Sequence, residues 1–135
     1  MEYLYKVGLA HAAELLILGF LAITFLQSGY DKISDWKGNV SFLTDHFKET
    51  FLKNSVPFLV SIILIFEVIV GLFSIIGIVM IYVSQNTFMA YLACVLAAKV
   101  LLALLFGQRI AKDYAGAMTI AVYFIVAIIG VILLK

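Results

Sequence analysis

Four stretches of this chain, residues 15–30, 54–66, 68–98 and 114–134, contain no Asp, Glu, Lys or Arg. No water-exposed surface can be built from such stretches, because a soluble domain intersperses charge at about a quarter of its positions. Here charged residues make up only 13% of the chain and hydrophobic ones 65%. A bilayer core of about 30 Å is crossed by roughly 20 helical residues, and in lipid a helix satisfies its own peptide groups. The sequence therefore predicts an all-α, polytopic integral membrane protein, a bundle of four transmembrane helices forming one membrane domain over residues 1–135.

The apolar runs place the spans at about 11–30, 57–82, 87–107 and 114–134. Pro57 suits a first helical turn, where its missing N–H costs nothing. Val83-Ser84-Gln85-Asn86 is too short for anything but an antiparallel hairpin, and residues 108–113 join the last two spans as tightly. Only residues 31–56 have room for more. Within them Val40, Leu43, Phe47 and Phe51 recur at helical spacing while Asp45, His46, Lys48 and Glu49 point elsewhere, the pattern of an amphipathic helix lying over one mouth of the bundle. Glu14 abuts the first apolar run and no small-residue cleavage site follows, so that run reads as a retained helix.

Lys32, Lys37, Lys48, Lys53, Arg109 and Lys112 fall in the first and third loops, against Lys6 and Lys135 on the other side. This excess predicts that loops one and three are cytoplasmic. Basic residues are otherwise scattered among acids, for a net charge of +1, and no nucleic-acid patch exists. Cys94 is the one cysteine, which excludes an intrachain disulfide and a CxxC pair. No catalytic residue set is evident. Nothing resembles a haem site, since His11 lies at a membrane edge and His46 in a loop. The chain lacks H-E-x-x-H and E-x-x-H spacings for a metal and the glycine loops that cradle phosphate.

Two charges stand inside the spans, Glu67 and Lys99, and each is costly there unless paired or wet. Counted from the same mouth they lie at similar depths on neighbouring helices, so an ion pair between them is the expected arrangement. One interpretation makes it a pin that fixes helix register; the other makes Glu67 a proton-linked or ligand-binding carboxylate tuned by Lys99. Gly71 and Ser74 continue Glu67's face as a stripe of small residues. Thr24, Gln27, Ser28 and Asp31 form a second stripe at the end of the first span. With Lys32, Arg109 and Asp113, residues Gln27, Ser28 and Asp31 outline a candidate headgroup mouth, the alternative being ordinary snorkelling and capping. Gly116, Thr119, Tyr123, Ala127 and Gly130 read as a packing seam on the last span.

The order of these features resembles the DoxX family of small bacterial membrane proteins. It is carried by Gly19, by Ser28-Gly29-Tyr30-Asp31-Lys32-Ile33 closing the first span, by Glu67-Val68-Ile69-Val70-Gly71 in the second, and by Gly107 to Gly116 before the last. The resemblance implies a four-helix subunit of a membrane redox complex, the family taking its name from a subunit associated with thiosulfate:quinone oxidoreduction. The leading expectation is thus a non-catalytic subunit with no cofactor of its own, binding a quinone or lipid near the level of Glu67 and Lys99 in a bacterial inner membrane and touching membrane lipids, other membrane proteins or copies of itself. The alternative is a small proton-coupled transporter that uses Glu67; an independent oxidoreductase is the least supported, for want of redox groups.

Overall fold

The computed structural model describes residues 1–135 as helices α1 (Glu2–Ala10), α2 (Ala12–Ser34), α3 (Trp36–His46), α4 (Val56–Ser84), α5 (Phe88–Ile110) and α6 (Tyr114–Leu134), with a 3-10 turn at Lys53–Ser55. Four helices, α2 and α4 to α6, are long and apolar enough to cross a membrane. This is the predicted all-α polytopic architecture. The spans run a few residues past the predicted bounds, because helical backbone continues through the polar ends: α2 reaches Ser34 and α5 reaches Ile110.

Neighbouring spans are antiparallel, in the order α2, α4, α5, α6, and α6 closes only lightly back onto α2. The α4–α5 turn carries left-handed Gln85 (φ 55°), whose N–H bonds the Ile81 carbonyl. Asp113 caps α6, its Oδ1 accepting from the Gly116 N–H at 2.9 Å. The core is a zipper of small residues on α5, with Ala90, Ala93, Cys94, Ala97 and Leu101 buried against neighbours. Without a hydrophobic drive between helices in lipid, such close approach supplies the packing energy. At Gly77 it becomes obligatory, since a Cβ there would lie 2.8 Å from the Ala90 Cα.

Two segments depart from expectation. Residues 2–10 form a short extra helix, α1, which buries Val7 and sets Gly8 against Tyr82 while Tyr3, Leu4, Tyr5 and Leu9 stay exposed. Its turns are too few to cross a bilayer, and its apolar exposure suits the lipid surface. In the first loop α3 forms with Asp35 as its N-cap, but it ends at His46. The chain then turns at Phe47–Thr50, so Phe51 loses the helical phase and is exposed, and Leu52 faces the bundle in its place.

Candidate functional site

Far from the loop-one mouth, α2 and α6 touch. A Cβ on Gly130 would sit 3.1 Å from Ile17, and Phe20 meets Tyr123 edge-on at 5.6 Å between ring centroids. Toward the mouth they part and leave a cleft of about 350 Å³ lined on the α2 side by Thr24, Gln27, Ser28 and Asp31. Glu67 of α4, Leu101 and Leu104 of α5, and Ile120 and Tyr123 of α6 complete the wall.

Glu67 does not pair with Lys99. Its Oε1 lies 2.8 Å from the Lys32 ammonium, with the two side chains 4% and 15% exposed, and the same ammonium donates to Ser28 Oγ at 2.8 Å. The error in the expected pairing has two physical causes. Cα–Cβ bonds tilt toward a helix's N-terminus, so Lys32, close to the end of α2, points back into the bundle rather than out of its mouth. The close fit of Gly29 against Leu64 and Val68 brings that turn of α2 alongside Glu67. Lys99, meanwhile, faces away from the inward zipper of α5 and is exposed, without an ion-pair or hydrogen-bond partner. That zipper, Ala90, Ala93, Cys94, Ala97 and Leu101, was the signal in the sequence that could have assigned Lys99 to the outer face.

The Lys32–Glu67 contact is close but poorly aimed: Glu67 Oε1 is buried and receives no hydrogen bond of good geometry. The carboxylate is therefore compensated electrostatically yet incompletely solvated, which is costly for a buried group. Ser74, below it on the same face, is satisfied by donating to the Val70 carbonyl at 2.8 Å. Asp31 lines the cleft with no ion-pair partner of its own.

On the other side of Lys32 lies an apolar cavity of about 400 Å³, between α4 and α5 and under the loop-one segment. Leu43, Phe47 and Leu52 roof it, Val60, Ile63 and Ala103 line it, and Leu104 and Ile120 are walls common to both cavities. The roof is latched at His46, whose Nε2 lies 3.1 Å from Gln108 Oε1 and 3.6 Å from Asp113 Oδ2, between the rings of Phe42 and Phe47. Gln108, which sequence reasoning passed over, both lines the apolar cavity and donates to Asp113 Oδ2 at 3.3 Å. Neither its type nor its spacing marked it.

Of the predicted mouth residues, Gln27, Ser28 and Asp31 meet at the cleft and Lys32 sits between the two cavities. Arg109 and Asp113 do not join them. Arg109 is exposed with its guanidinium 5.2 Å from the Tyr114 ring centroid, and Asp113 is engaged in capping and in the His46 latch. Thr119 is exposed and bonds back to the Ala115 carbonyl, leaving Ala117, Ala127 and Gly130 as the seam of α6. No three His, Cys, Asp or Glu side chains gather as a metal site. Neither models of known protein families, nor curated proteins, nor solved structures match the chain.

Proposed function

We propose that this chain is a DoxX-like, non-catalytic subunit of a quinone-linked or other envelope complex in the bacterial cytoplasmic membrane, and that it holds a quinone or lipid at the Lys32–Glu67 pair. The observation that carries the reading is the juxtaposition of a polar cleft and an apolar cavity at one level, divided by Lys32. A ligand with a polar head and an apolar tail satisfies both, whereas a wholly polar or wholly apolar molecule satisfies one. Gln27 and Thr24 offer donors to a carbonyl head, and Asp31 offers an acceptor to a hydroxyl or amine. Ser28, Lys32 and Glu67, three of the positions on which the family resemblance rests, form one connected cluster, and this supports the same reading. With loops one and three cytoplasmic by their positive charge, the cleft opens near the inner leaflet.

Gentle solubilisation from the native membrane, followed by mass spectrometry of bound proteins and extracted small molecules, tests this. A quinone or a defined phospholipid at near-stoichiometric level, together with partner subunits, is expected. Asp31→Leu should lower the ligand by about tenfold, the loss of one charge-assisted hydrogen bond. A preparation holding neither ligand nor partner overturns the reading and returns proton-coupled transport by Glu67 as the better one. Such transport would in turn be refuted if Glu67→Gln left substrate-driven proton flux in proteoliposomes intact.

A further inference from the structure

Lys99 stands at the midpoint of α5, eleven residues from Phe88 and eleven from Ile110. At 1.5 Å per residue it is about 16 Å from either end of the span. It is exposed on the outside of the bundle, lines neither the polar cleft nor the apolar cavity, and has no ion-pair or hydrogen-bond partner in the chain. Leu102, also exposed, and the half-buried Val95 share its face at helical spacing and line neither cavity. Lysines near a span's end snorkel to the interface. Here the four-carbon stem is far too short to reach water from the centre, and its tilt toward the α5 N-terminus, on the loop-two side, brings it no nearer to water than the opposite lean would.

We infer that the Lys99 face of α5 is a lateral docking surface for a transmembrane helix of another protein that carries an Asp or Glu at mid-depth. Charge complementarity selects that occupant. A second copy cannot supply the carboxylate: Glu67 is enclosed against Lys32, Glu14 sits in the first turn of α2 and is held by His11 at 3.0 Å, and the remaining acids lie at or beyond the helix ends. A lipid phosphate stays at the headgroup level, out of reach from the centre of the span. The surrounding Leu102 and Val95 provide an apolar collar that would exclude lipid and keep the pair dry. This inference deepens the subunit reading by naming the face that joins the partner, but it rests on Lys99 and not on the contents of the cleft.

The test is a photo-crosslinking amino acid at Leu102 in the full chain expressed in its native membrane, with the captured peptide sequenced by mass spectrometry. An apolar helix with an Asp or Glu within one turn of the cross-linked residue is expected. Capture should fall about tenfold or more in Lys99→Met, the effect of one interhelical polar contact in a membrane. Lys99→Met lies on the lipid face and leaves the bundle folded, so lost capture cannot be ascribed to unfolding; its unfolding transition in bicelles checks this. Capture of the chain itself, of lipid alone, of a helix without a carboxylate, or capture unchanged by Lys99→Met overturns the proposal. Ligand bound at the cleft, measured in the same preparation, reports separately on the cleft reading.

Discussion

Replacing Lys32 by Met removes the only cation near a carboxylate that is 4% exposed. Breaking a buried pair from one side costs about 3–5 kcal/mol, because the remaining charge is left uncompensated. Glu67 borders the polar cleft and Lys32 keeps 15% exposure, so the loss should fall near the lower end, at about 3 kcal/mol. That is more than a hundredfold in the folding equilibrium. The double variant Lys32→Met/Glu67→Met restores an apolar, volume-matched contact and should recover most of the loss. Lys99→Met, by contrast, removes an unpaired charge from the centre of a span and should leave the isolated chain unchanged or stabilise it, by up to about 3 kcal/mol. Reversible unfolding of each variant in bicelles, analysed as a double-mutant cycle, measures all of these. If Lys99→Met were the destabilising single variant and Lys32→Met the neutral one, the pairing described above would be wrong, and the expected Glu67–Lys99 pair would be the real one.

Gly77→Ala should cost about 1–3 kcal/mol, because the new methyl meets the Ala90 backbone and forces the α4–α5 hairpin apart; Gly19→Ala, with open space around it, should not destabilise, and thermal unfolding separates the two. His46→Ala removes the polar latch between the loop-one segment and the α5–α6 turn, so thiol labelling of a Leu43→Cys reporter should accelerate several-fold, and unchanged labelling would show that apolar packing alone holds the roof. Ala103→Trp, placed in the wall of the apolar cavity, should lower the amount of long-tailed ligand recovered on purification without changing the Lys32–Glu67 coupling, and full recovery of ligand would dissociate the cavity from binding.

Span number, the short connections and the amphipathic loop-one segment were legible in the residues because each follows from local rules. Twenty apolar residues without charge have one stable backbone in lipid, and a four-residue turn has one partner geometry. The polar stripe Gln27, Ser28 and Asp31 was legible for the same reason, since helical spacing alone puts it on one face. The partner of Glu67 was not. Depth along a helix can be counted from sequence, but which way a helix is rotated, how close a glycine lets two helices come, and which way a long side chain leans depend on packing among four helices at once. The sequence alone determined a four-span membrane bundle with a carboxylate and a lysine in its interior segments. Only the tertiary structure decided that the carboxylate belongs to Lys32 and that Lys99 faces outward, because helix rotation is set by the summed fit of every small residue in the interface rather than by any one of them.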